Sequence, residues 1–158
     1  MTVANNTHER STFEVIRQMA DANGAARTTS YVNLSHYRQA ALAYITATVA
    51  NAANITLLQA KDKNGTDSKA LGFGVRYVKT IAGDKYVKTA VAANTFSTGT
   101  TDNNINLLYV DSSDLDEGFT HVAVHISNPG GAHNSAVVAA ISGYRYGGEL
   151  ADFPSPLA

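Results

Sequence analysis

Side chains alternate with a period of two along most of the chain beyond Gly24, and this restricts the fold more than any other feature. In "AALAYITATVA", residues 40–50, Ala41, Ala43, Ile45, Ala47 and Val49 share one side, and Leu42, Tyr44, Thr46 and Thr48 the other. Period two is the spacing of a strand, whose successive side chains point to opposite faces. The same grammar runs through "NITLLQAKD", "KALGFGVRYVKTI", "KYVKTAVAA", "NINLLYV", "FTHVAVHIS" and "SAVVAAISGYRY". Turn-rich pieces separate these segments and no helical period intervenes, so the reading is antiparallel and not a parallel α/β sheet. Asn64-Gly65 reads as a type I′ hairpin turn and Gly83-Asp84 as a second tight turn.

One segment departs from this pattern. In "STFEVIRQMADANG" Ser11 and Glu14 have the spacing of a capping box. Phe13, Ile16, Met19 and Ala20 then fall on one helical face, and Asn23-Gly24 supplies a stop. The expectation is a mainly β protein: an antiparallel β-sandwich, jelly-roll-like, with one short N-terminal helix. Residues 1–24 form an arm, 25–147 the sandwich and 148–158 a docking tail. In that tail, "GGELADFPSPLA", Pro154 and Pro156 bar entry to a sheet interior, while Leu150, Phe153 and Leu157 are apolar.

A length of 158 residues suits one domain. Hydrophobic residues make up 44% but many are alanine, and charged residues only 16%. A weakly charged surface rich in Asn, Thr and Ser fits broad protein contacts, because interface cores are depleted of charge. With net charge −1 and scattered Lys and Arg, a nucleic-acid partner is not expected. Neither a secretion signal nor a membrane-spanning apolar run is read in the chain. The absence of cysteine rules out disulfides and thiolate chemistry.

"HVAVHISNPGGAH", residues 121–133, gathers three of the five histidines. His121 and His125 are four residues apart on a strand, about 13 Å, too far for one zinc that needs each nitrogen about 2 Å away. They read as a polar outer face, and His133, past a turn, could approach only one of them. "DSSDLDEG" carries Asp111, Asp114, Asp116 and Glu117, but its spacing does not match the twelve-residue calcium loop. In "DKNGTD" the glycine is fourth, and the twelfth position of such a loop is Phe73. No G-x-S-x-G elbow, P-loop or G-x-G-x-x-G is present. No catalytic residue, cofactor or metal ligand is therefore assigned, and the chain is read as a non-enzyme.

From Tyr31 to Tyr146 the order of segments resembles small β-sandwich virion proteins of tailed bacteriophages. The resemblance rests on "YVNLSHYRQAALAYITATVANAANITLLQAKDKNG" as an opening strand pair, "SSDLDEGFTHVAVHIS" as an acidic turn before an apolar strand, and "SAVVAAISGYRYGG" as a closing strand. It implies a structural role: decorating or cementing a capsid, with the major capsid protein as partner, as a homo-oligomer, a trimer. It also implies a virion location after synthesis in the host cytoplasm. The residues expected to grip neighbours are Phe13, Ile16, Met19, Leu150, Phe153, Pro154 and Leu157. The competing readings are a sugar- or receptor-binding tail module using Tyr109, Tyr144 and Tyr146, and a head–tail neck component.

Overall fold

The computed structural model of the chain describes residues 11–22, 24–80, 82–144 and 155–157. These hold twelve strands: β1 (Thr12–Asp21), β2 (Arg27–Thr28), β3 (Val32–Asn33), β4 (Tyr37–Val49), β5 (Asn54–Ala60), β6 (Lys69–Ala70), β7 (Val75–Thr80), β8 (Val87–Ala90), β9 (Thr95–Ser97), β10 (Asn104–Asp111), β11 (His121–Ile126) and β12 (His133–Tyr144). Sheet I has the order β1-β12-β4-β10-β7-β8. Sheet II has the order β2-β11-β5-β6, with β3 also on β11 and β9 also on β5. Every pairing is antiparallel.

The two sheets bury a common core. Leu42, Tyr44, Leu108, Val137 and Ile141 of sheet I meet Ile55, Leu57, Val122, Val124 and Ile126 of sheet II, all fully enclosed. The alternation in β4 thus resolves in favour of its even-numbered side as the core face from Ala40 to Thr46; past the register shift against β12 the parity reverses, with Thr48 exposed and Val49 buried. Six of the seven segments read as strands each hold one strand, whereas "KALGFGVRYVKTI" holds two, β6 and β7, which are separated at residues 71–74 and lie in different sheets.

The N-terminal segment is a correction. Thr12–Asp21 is a strand on the edge of sheet I, and the described residues contain no α-helix. The register against β12 shifts between Val15 and Arg17 and again between Arg17 and Ala20. Each irregularity inserts a residue and breaks strict alternation. Apolar residues consequently recur every third position, at Phe13, Ile16 and Met19, which imitates a helical face. Of these three only Ile16 packs into the core; Phe13 is 74% exposed and Met19 51%.

The Asn64-Gly65 turn is not a two-residue type I′ turn. Gln59 pairs with Lys69, so the loop is wider, and Gly65 has φ +82° while Asn64 keeps negative φ. Asp62 organises it by accepting from the backbone N–H of Asn64 and Thr66 and from the Thr66 hydroxyl.

The described part of the tail docks on the body. The Pro156 carbonyl accepts from the Asn33 backbone N–H at 2.7 Å, Pro156 is buried, and Leu157 packs against the core. Leu150, Phe153 and Pro154 lie outside the described residues.

Candidate interaction surface

Residues directly opposite one another in neighbouring strands share a face, so the register of sheet I reads out its outer surface row by row. One row runs Phe13–Ala140–Ala41–Tyr109. The next runs Val15–Val138–Ala43–Leu107–Tyr77–Lys88. A third runs Ala136–Ile45–Ile105–Lys79. None of the three rows carries a charge until Lys79 and Lys88 at the β7–β8 edge. Along β4, Ala41, Ala43, Ile45 and Ala47 are half-buried, while the alternating Ala40, Leu42 and Tyr44 are fully enclosed. Phe13, Val15 and Tyr109 of the outer rows are 74%, 58% and 54% exposed.

Sheet I is therefore apolar on both faces, and among the described residues only the inner one is covered, by sheet II. A strand apolar at both parities is the mark of a sheet buried on both sides. An apolar expanse of this extent signals a contact surface. Its relief is shallow: β4 contributes mainly alanines, and the adjacent β10 contributes the larger Ile105, Leu107 and Tyr109.

At the β7 edge the face runs into an open cleft of about 450 Å³ lined by residues that include Phe73, Tyr77, Lys88, Tyr109 and Asp114. The cleft exists because β7 pairs with β10 only as far as Tyr77–Leu107, whereas β10 continues beside β4 to Asp111. Gly72 and Gly74, outside any strand, carry the chain away from β10. The Tyr77 and Tyr109 rings meet edge to face at 5.7 Å.

The back of sheet II is of another kind. His121 and His125 lie on it, as the alternation predicted. His125 Nδ1 is 3.0 Å from the Thr28 hydroxyl, and His121 Nδ1 is 2.8 Å from that of Thr120. Burial pushes the His121 imidazole below its ordinary pKa, and the facing Asp62 carboxylate opposes this. The Tyr31 hydroxyl bonds Ser68 at 2.7 Å, and its ring packs so closely over Gly65 that a Cβ there would lie 3.0 Å from it.

His133 joins neither of the other two histidines. It is fully buried in sheet I, its Nε2 hydrogen-bonded to the Tyr44 hydroxyl and its Nδ1 2.8 Å from the Asn51 carbonyl. Nothing in the sequence placed it there, since its partners are 89 and 82 residues away.

The acidic segment is organised by its own chain. The Asp111 carboxylate accepts from the Ser113 N–H and hydroxyl, and Asp114 accepts from the Asp111 N–H, capping a 3-10 turn at Ser112–Asp114. Asp116 pairs with Lys69 at 2.6 Å and accepts from the buried Gln59 amide at 2.9 Å. Among the described residues no three His, Asp or Glu side chains group as metal ligands.

No protein-family model matches the chain, and no curated protein does. Among solved structures, the SPBc2 prophage-derived protein YomS is similar at a TM-score of 0.46 and 12% identity, over 83% of this chain and 91% of that one. The structure of infectious bursal disease virus, Gt strain, is similar at a TM-score of 0.38 and 16% identity, over 87% of this chain and 33% of that one. The Gx strain gives 0.37 and 16%, over 87% and 34%.

Proposed function

We propose that the protein is a non-enzymatic structural component of a virion, one that decorates or cements a phage capsid through protein–protein contacts. The observation that carries this reading is the apolar outer face of sheet I, uncovered among the described residues, a surface made for another protein rather than for a substrate. The order of the strands agrees with the resemblance. With β2 and β3 taken as one strand, β6 and β9 as another, and β7–β8 as an inserted hairpin, we read the sheets as first-eighth-third-sixth and second-seventh-fourth-fifth. That is the jelly-roll order, common among capsid domains. The proposed partners are the major capsid protein and further copies of this chain.

Co-sedimentation of the purified protein with phage heads that lack it tests the role. Saturable binding at a fixed ratio to the major capsid protein is expected. Heads that pellet without it would speak against decoration.

A sugar- or receptor-binding role is the second reading, and the cleft between Phe73, Tyr77 and Tyr109 favours it, with Lys88 and Asp114 as polar neighbours. Tyr144 is less available, because its ring packs edge-on against buried Tyr37, and Tyr146 lies outside the described residues. A glycan array separates the two roles: selective binding lost in Tyr109→Ala selects the second, and an empty array removes it.

A further inference from the structure

We infer that the outer face of sheet I is covered by the same face of a second copy of this chain, the two related by a two-fold axis that runs parallel to the strands between β4 and β10. The inference deepens the proposed structural role and rests on it for its biological setting, but its test needs only the purified chain.

Three observations select a second copy as occupant. The first is shape. Between the cleft at the β7 edge and a smaller hollow of about 210 Å³ beside Ile45, Lys79 and Ile105, the face is a broad sheet surface whose complement is another sheet. Aligned sheets pack about 10 Å apart with interdigitating side chains. The second is relief. A two-fold axis between β4 and β10 lays β10 of each copy over β4 of the other. Because Leu107 is level with Ala43, and Tyr109 with Ala41, these two large side chains each meet an alanine of the partner, while Ile105, level with Ile45, meets an isoleucine. Such mutual fit is what an isologous contact requires. The same operation sets Val15 of β1 opposite Lys88 at the β8 edge and brings no two charges of these rows together.

The third is area. An axis between β4 and β10 shares the Ala43 row over six strands, the Ile45 row over four and the Ala41 row over two; at about 4.8 Å between strands and about 6.8 Å between rows this is roughly 400 Å² per copy. Two such faces remove about 800 Å², the low end, where weak and transient contacts lie. A pair of this extent forms a modest, reversible contact, the kind that gains from repetition on a lattice. It replaces the three-fold assembly that the resemblance implies, because a face that fits itself closes as a pair.

Sedimentation equilibrium of the purified chain decides the matter. The wild type is expected as two copies at tens of micromolar. Leu107→Glu and Val138→Lys each place a charge in the contact twice over and are expected to weaken pairing by roughly 100-fold or more. Lys63→Glu, in the β5–β6 loop, leaves the pair intact. A monomeric wild type at that concentration overturns the inference, as does a trimer, or a pair unmoved by both charges. A43C gives an independent reading that does not depend on how the charged variants fold. The chain has no cysteine of its own, so this thiol alone reacts with a maleimide. Its alkylation is expected to slow at least tenfold between nanomolar and tens of micromolar protein, and a rate independent of concentration overturns the pairing. A monomer that still co-sediments with phage heads removes the pair and keeps the virion role; a pair that ignores heads does the reverse.

Discussion

The Tyr44 hydroxyl donates to Nε2 of His133 inside the core, where neither ring has any exposure. The Asn51 carbonyl can only accept, so the His133 Nδ1 carries the proton and Nε2 is the acceptor. This tie crosses from the middle of β4 to the start of β12. Tyr44→Phe leaves Nε2 without its donor in a place water does not reach, at a cost of about 1–3 kcal/mol. Equilibrium urea unfolding of the two chains measures it, and equal midpoints would show that the bond contributes nothing.

Tyr44 also sets a pH dependence. Burial pushes the Tyr44 hydroxyl up to about 12, against an ordinary value of 10. Between these values the unfolded chain has released its proton and the folded chain has not, so stability falls as pH rises through that window. About two pKa units amount to roughly 3 kcal/mol at most. Tyr44→Phe is expected to flatten this alkaline loss. An unchanged slope in the variant would assign the loss to other tyrosines, Tyr37 first, whose hydroxyl burial also raises.

At the acid end the direction reverses. The Lys69 ammonium beside Asp116 holds its carboxyl below the ordinary value. Stability from this pair is therefore complete above the ordinary carboxyl range and is lost as pH falls through the lowered one. Asp116→Asn is expected to be less stable at neutral pH and to lose less on acidification. Parallel acid titrations of the two chains would contradict that.

In β1, neighbouring residues part company. Ile16 is 4% exposed and Phe13 74%. Ile16→Ala is expected to cost about 2–4 kcal/mol. Phe13→Ala, in protein too dilute to pair, should stay within about 0.5 kcal/mol. A large loss from Phe13→Ala in the dilute chain would mean that this ring is covered by the body after all.

Two glycines with nearly the same backbone isolate the effect of crowding. Gly24 has φ +73° with nothing within 4 Å of a built Cβ, and Gly143 has φ +72° with the Arg38 Cβ 2.7 Å away. Alanine at Gly24 is expected to cost about 1–2 kcal/mol from the left-handed backbone alone. Alanine at Gly143 adds the clash and should cost at least about 1 kcal/mol more. Thermal melts of the two variants measure the difference, and equal melting temperatures would show that Arg38 moves aside freely.

The sandwich was legible in the sequence because most of its strands are long enough to show period two. β2, β3 and β9 were not, since two or three residues carry no period. β1 failed for another reason: its register shifts at Arg17 turned a strand's spacing into a helix's, and Ser11 with Glu14 completed the imitation. The contact face left a trace that was open to reading. "AALAYITA" is apolar at both parities, as expected of a strand covered on both sides, but only the cross-strand register shows that β1, β10 and β12 extend the same surface. The Tyr44–His133 tie left no trace, because nothing local in either segment specifies a partner so far along the chain.

Quantitative mass spectrometry of phage particles purified from cells that carry this chain's gene tests its proposed role most directly. The account predicts the protein in the particles at a constant ratio to the major capsid protein, and in even copy number if the sheet I face pairs. Particles free of it, with the protein left behind in the lysate, would contradict the account.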